Sequence, residues 1–166
     1  MSAVVRLQAD ITSVVMLDFV MKEEQKAEAV YFLCNKKKEE KEAEKVKALA
    51  AHYQIPLRII DLSPFTNLRN NKEDLFGFIC CSFLAAGISK RTKIYHRFQS
   101  IESMLAFNAS MQFASKGKVS IADPFLGKTK DEILQRGLHI NAPLHLVSTK
   151  KSTTRKTKET GKGKKK

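Results

Sequence analysis

With 166 residues, 43% of them apolar, the chain is long enough for one domain with a normal core, and a wholly disordered or fibrous protein is excluded. Its 30 basic against 17 acidic residues leave +13, and the stretch from Lys150 to Lys166 holds nine basic residues and one acidic one, so that stretch carries +8 and the body +5. Residues 1–20 lack a basic n-region and no apolar run approaches a bilayer span, which sets aside a secretory leader and a membrane span and leaves an intracellular, soluble protein as the expectation.

Ala3-Val4-Val5-Arg6-Leu7 reads as a first buried strand, and residues from Thr12 to about Lys26 as a helix with Val14, Val15, Leu17, Phe19 and Val20 turned mostly inward. In an open α/β sheet the turn between such elements is where a phosphate-bearing ligand sits. A phosphate cradle there needs glycine so that backbone N–H groups can close on the anion, yet no glycine stands between Ala3 and Leu17.

Ala29 to Cys34 is a continuous apolar run of strand length, suited to an interior parallel strand. From Lys36 to Tyr53 the period becomes helical, with Ala43, Val46, Leu49, Ala50 and Tyr53 on one stripe, and Glu42 with Lys45 and Glu44 with Lys47 as surface pairs. Interleaved signs make this a solvated helix face and not a nucleic-acid patch. Leu57 to Leu62 reads as a further strand, closed by Ser63-Pro64. A polar connection, Thr66 to Lys72, leads to an apolar helix from about Glu73 to Ala86 with Leu75, Phe76, Ile79, Phe83 and Leu84 as its core stripe and Gly87 as its stop.

Lys93 to His96 is a strand remnant. Ser100 to Ser115 is a helix with Ile101, Met104, Leu105, Asn108 and Met111 on one side, its methionines filling core gaps. Lys118 to Ile121 is a short strand, and Thr129-Lys130-Asp131-Glu132 is a capping box opening a short helix that stops near Gly137. Strands alternating with helices throughout predict an α/β protein, a mainly parallel sheet with helices on both faces.

Cys34, Cys80 and Cys81 lie inside apolar runs without C-x-x-C spacing and read as small hydrophobes in a reducing compartment. His52, His96, His139 and His145 show no metal-ligand spacing, Ser63 and Ser148 lack a nucleophile context, and Asp123-Pro124 reads as a turn. Residues 1–147 therefore form one α/β domain and residues 148–166 a basic tail, expected to be disordered on its own because it has no apolar side chain to bury.

Across Ala3 to about Thr149 the order of motifs resembles the 7-cyano-7-deazaguanine (preQ0) synthases of queuosine biosynthesis. The opening Ala3-Val4-Val5, the stretch Lys45 to Pro56 and the strand end Ile59-Ile60-Asp61-Leu62-Ser63 are similar to that family's first strand, its helix before the third strand and that strand's end. More specific are Lys116-Gly117-Lys118-Val119-Ser120-Ile121, Leu126 to Ile133 with Thr129-Lys130-Asp131-Glu132-Ile133, and Asn141-Ala142-Pro143-Leu144-His145-Leu146, which resemble its late strand, helix start and final proline turn. The resemblance implies a Rossmann-like α/β/α sandwich of the nucleotide α-hydrolase (PP-loop) type, with ATP at the first strand-to-helix loop.

Three departures each remove chemistry that the resemblance implies. Where the family has a serine-glycine-glycine-x-aspartate-serine pyrophosphate loop, this chain has Gln8, Ala9, Asp10 and Ile11, with Asp10, Thr12 and Ser13 as the residues left to hold a nucleotide. Where the family's zinc-binding cysteines begin, Ser148, Thr149 and Lys150 stand instead, so no zinc is expected. The family's glycine- and aspartate-bearing loop after the fourth strand does not fit between Gly87 and Ser100. Arg97 stands near a family arginine without taking over its role, and Arg69 with Asn70 resembles the family's arginine-asparagine pair before its long apolar helix, with a polar helix entry as the alternative.

The expectation is a catalytically inactive relative serving as a structural or binding module, with no catalytic residues, cofactor or metal. Its tail cations Lys150, Lys151, Arg155, Lys156, Lys158, Lys162, Lys164, Lys165 and Lys166 would contact nucleic acid, alone or within a larger assembly. Two alternatives stand beside it. One is an active preQ0 synthase-like enzyme using ATP and Mg, and the other is an interaction subunit that meets a protein partner through an apolar sheet edge.

Overall fold

Five strands, β1 (Ser2–Arg6), β2 (Ala27–Leu33), β3 (Leu57–Asp61), β4 (Thr92–Tyr95) and β5 (Val119–Ala122), pair in the order β3-β2-β1-β4-β5, and every pair is parallel. The helices α1 (Ile11–Glu23), α2 (Lys36–His52), α3 (Ile101–Ala114) and α4 (Lys130–His139) connect or follow them. The computed structural model describes residues 2–24, 26–64, 77, 80–82, 84, 85, 87 and 90–147, and of these Gly77, Cys80 to Ser82, Leu84 and Ala85 are helical.

Side chains along a strand alternate between faces, so the apolar runs divide into two cores. Ala3, Val5, Leu7, Ala29, Tyr31, Leu33 and Tyr95 meet α1, α2 and Ile133 of α4 on one face. Val4, Val30, Phe32, Ile94, Val119 and Ile121 meet Cys80, Cys81, Leu84 and Met111 on the other. A sheet covered on both faces is the α/β/α arrangement expected from the alternation of periods.

The element boundaries shift by a few residues. The first helix ends at Glu23, short of Lys26, where Glu24 turns into extended backbone. The predicted remnant at Lys93 to His96 is a full partner of both β1 and β5. The α2 stripe of Ala43, Val46, Leu49 and Ala50 is buried as expected. Of the two surface pairs, Glu44 meets Lys47 at 2.7 Å, while Lys45 donates to the Val147 carbonyl at 3.0 Å and Glu42 accepts from the Tyr31 hydroxyl at 3.4 Å. Leu84 lies in the core. Leu75, Phe76, Ile79, Phe83, the connection from Thr66 to Lys72, and Arg69 with Asn70 lie outside the described residues, as does the tail from Ser148 to Lys166.

The last helix ends near Gly137 as expected, at His139, with Gly137 itself still inside it. That glycine lies buried in α4, where a Cβ would stand 2.7 Å from Val15 Cγ2, so the residue permits close approach of α4 to α1. The chain then turns at Asn141, whose φ of 55° is left-handed, with Ala142 N–H donating to the Gly137 carbonyl at 2.9 Å. The capping box at Thr129 and Glu132 is present with both its hydrogen bonds.

The stripe expected on α3 is corrected in part. Met111 is buried and Met104 and Phe107 lean on the core, whereas Ile101 and Leu105 are more than half exposed. The reason is the position of α3 over the last strand, since its buried side must serve β5. Asn108 Oδ1 accepts the Ile121 N–H at 2.8 Å and Ser115 Oγ accepts the Val119 N–H at 2.9 Å. These are the donors of β5 that β4 leaves unpaired, so side chains of α3 and its following turn blunt this sheet edge against another strand.

Among the described residues no helix is long and apolar enough to cross a membrane, and Cys34, Cys80 and Cys81 are buried thiols.

Candidate functional site at the switch point

The strand order reverses direction between β1 and β4, and in open parallel sheets ligands bind in the crevice at the carboxyl ends of such strands. Three elements meet there: the β1–α1 loop, the end of β4 with residues 96–98, and the connection from β5 to α4.

The loop between β1 and α1 is tied to itself. Asp10 is the N-cap of α1, and its Oδ1 accepts the Ser13 N–H at 2.8 Å. Ser13 Oγ in turn accepts the Gln8 N–H at 2.9 Å. Thr12 stands partly buried in the first turn. Of the three residues that the sequence offered for a nucleotide, Asp10 and Ser13 are thus joined in one capping arrangement. It engages two of the loop's N–H groups and puts a carboxylate where an incoming phosphate would have to lie.

Behind the loop, on the face opposite α1, Arg6 ends β1 and His96 directly follows β4, and both are buried. Arg6 Nη1 lies 2.9 Å from His96 Nδ1. A guanidinium has only donors, so the imidazole nitrogen accepts and the ring is neutral. Burial above all, then the charges of Arg6 and Arg97, hold the His96 pKa well below its ordinary value. Gly77 makes room for the ring, because a Cβ on it would stand 2.3 Å from His96 Nε2. Phe98 closes the other side edge-on, its centroid 4.6 Å from that of His96. Nearby, burial pushes the Cys81 thiol up to about 12 against the pull of Arg6, which makes it an inert hydrophobe and not a nucleophile.

The third side of the crevice is fixed by Asp123. Its side chain is fully buried, and it accepts from Phe98 N–H at 2.8 Å, Phe125 N–H at 2.9 Å and Arg97 Nη1 at 2.9 Å. Arg97 also reaches the Phe98 carbonyl at 3.0 Å and, through Nη2, the Lys128 carbonyl at 2.8 Å. Arg97 is therefore a clamp between the ends of β4 and β5. A cavity of about 500 Å³ lies aside from the crevice, against α4, with Pro124, Phe125, Ile133 and Arg136 in its wall. Among the described residues no three His, Cys, Asp or Glu side chains group as a metal site.

Arg6, His96 and Asp123 did not stand out as a site in the sequence. The available signal was the period of two. Val4 with Arg6 and Ile94 with His96 share the face of a doubly covered sheet, so each polar side chain had to be buried and partnered.

No protein-family model matches this chain, and no curated protein matches it. Among solved structures 44 chains match, so the fold is a shared one. One is an NH3-dependent NAD synthetase from Campylobacter jejuni, solved in complex with the nitrate ion. It is similar at a TM-score of 0.55 and 15% identity, over 88% of this chain and 66% of that one. This chain therefore spans just under two thirds of the synthetase chain, and what the two share is the Rossmann-like α/β fold.

Proposed function

We propose that this protein is an inactive relative of the nucleotide-binding enzymes built on this fold, kept as a binding module whose basic tail engages nucleic acid. The observation that carries the first half is the self-capped β1–α1 loop, with Gln8 and Ser13 N–H groups given to Ser13 Oγ and Asp10 Oδ1. A triphosphate entering there must break both hydrogen bonds and approach the Asp10 carboxylate through a loop whose residues all carry Cβ atoms. The specific tie to the preQ0 synthases rests on the matching order of motifs from Ala3 to Thr149, and the likeness to the NAD synthetase concerns the fold alone.

Calorimetry with ATP and magnesium tests this half, and no binding in the micromolar range is expected. Clear micromolar binding that Asp10→Ala abolishes would establish the alternative, an ATP-dependent enzyme of the preQ0 synthase kind.

The second half rests on charge. Nine cations between Lys150 and Lys166 face a single carboxylate, and each phosphate they neutralise releases counterions. Exchanging the nine for glutamine is expected to weaken binding of a labelled 20-nucleotide RNA strand and to flatten its salt dependence. An unchanged affinity with an unchanged slope would refute the role of the tail.

A further inference from the structure

We propose that the end of the sheet where the strands begin, opposite the crevice, is a surface for single-stranded nucleic acid, on which Lys26, Lys90, Arg91, Lys116 and Lys118 meet phosphates and Phe113 stacks on a base. The proposal rests on the nucleic-acid reading above and places part of that contact on the folded body.

The five cations come from three separate turns, and hydrogen bonds set those turns side by side. Ala3 N–H donates to the Lys26 carbonyl at 2.9 Å, Ser2 N–H to the Arg91 carbonyl at 3.4 Å and Thr92 N–H to the Lys118 carbonyl at 2.9 Å. Lys26, Arg91 and Lys118 therefore stand at the entrances of β2, β4 and β5, across the order β2-β1-β4-β5. Three strand spacings make the row roughly 15 Å long. That length spans about four phosphates at the axial spacing of one strand in a duplex.

All five side chains belong to exposed residues, and among the described residues no carboxylate pairs with any of them. Most neighbouring acids are engaged elsewhere. Glu24 holds Lys93 at 3.2 Å and the Tyr95 hydroxyl at 2.8 Å, Glu28 holds Arg58, and Asp18 holds Lys22 at 2.7 Å. Glu23 is the exposed counter-charge among the described residues at this end. Cations at helix C-termini are ordinarily explained by the helix dipole. The ends of α1 and α3 offer about half a negative charge each, which accounts for about one of the five.

Phe113 supplies the second, independent observation, because its side chain is 90% exposed at the end of α3. Lys116 N–H donates to the Phe113 carbonyl at 3.2 Å and Gly117 N–H to that of Gln112 at 2.7 Å, so the ring's residue sits in the same turn as Lys116 and Lys118. An exposed ring beside a row of cations is the combination by which proteins hold single strands irrespective of sequence. An anionic membrane would be met by an amphipathic apolar face and not by one ring.

The test uses the full chain and fluorescence anisotropy with a labelled 20-nucleotide RNA strand and the matching duplex, between 50 and 200 mM salt. Replacing all five cations by glutamine is expected to weaken single-strand binding at least tenfold and to lower the log–log salt slope by about 2 to 3, at about 0.7 per phosphate. Phe113→Ala is expected to cost roughly tenfold on the single strand and little on the duplex. Since the five residues are exposed, the melting temperature should hold; if it falls, the pair Lys116→Gln and Lys118→Gln gives the same reading with a slope change of about 1.

A five-cation variant that binds as tightly as the unaltered chain, while the nine-glutamine tail variant loses binding, overturns the body surface and leaves the tail reading intact. Absence of binding by the unaltered chain overturns both. Loss of binding to vesicles of phosphatidylcholine and phosphatidylglycerol with unchanged RNA affinity would assign the row to a membrane and overturn the proposal.

Discussion

Asp123→Ala is expected to lower the stability of the domain by about 3–5 kcal/mol, read as the fall of a urea midpoint at pH 7.5. The carboxylate is fully buried and accepts two backbone N–H groups, those of Phe98 and Phe125, besides the Arg97 guanidinium. Removing it leaves two donors without an acceptor in a dry place, each costing about 1–3 kcal/mol, and frees Arg97 from the connection it clamps. A domain of this size has only about 5–15 kcal/mol to lose, so the variant should be partly unfolded at modest urea. Asp123→Asn keeps one accepting oxygen but turns an NH2 group toward a donor, and it should fall between the two. A loss below about 1 kcal/mol for the alanine variant would show that water or a rearranged loop replaces the carboxylate.

The same residue shows how far the sequence could be read. Asp123-Pro124 reads correctly as a turn, because proline after a strand says so locally. That its carboxylate anchors Phe98, 25 positions away, depends on β4 and β5 being neighbours, which no local pattern states. The strands themselves were legible because a sheet covered on both faces demands apolar runs such as Ala29 to Cys34. The capping box at Thr129 was legible because both its partners lie within four residues.

What failed was orientation. Of the stripe expected on α3, Met104, Asn108 and Met111 do face the sheet, whereas Ile101 and Leu105 are exposed and Phe107 packs in their stead, because residues as apolar as these carry no local sign of which side faces β5. Gly137 looks like a helix stop in isolation, but the proximity of Val15 gives it another use. For the candidate site, the lack of glycine in the β1–α1 loop was visible at once. The way Asp10, Ser13 and Gln8 then close on one another requires the loop's shape. Arg6 and His96 lie 90 positions apart in the chain, so their contact is a property of the topology.

That contact makes the protein sensitive to mild acid. His96 is neutral in the folded state with its pKa well below the ordinary value, whereas in the unfolded chain it titrates near 6.5. As pH falls through about 6.5 the unfolded chain takes up a proton that the folded one refuses, so stability declines by about 1.4 kcal/mol per pH unit. It is fully present above that pH. Between pH 7.5 and 5.0 the loss from His96 should reach about 2 kcal/mol. Glu24, whose hydrogen bond from Tyr95 lowers its pKa, titrates below this window.

In His96→Asn the amide oxygen still accepts from Arg6 but has no proton to gain, and this share of the decline should disappear. A wild-type urea midpoint that stays flat from pH 7.5 to 5.0, or a His96→Asn variant with the same slope, would refute the assignment. The cause is geometric. Gly77 and Phe98 leave the ring no room to turn away, and Arg6 Nη1 at 2.9 Å occupies the position that a proton on Nδ1 would need. Protonation therefore costs not only burial of a charge but separation of two cations at the head of the crevice. The arrangement that fills the switch point is therefore most stable where His96 is uncharged in both the folded and the unfolded chain.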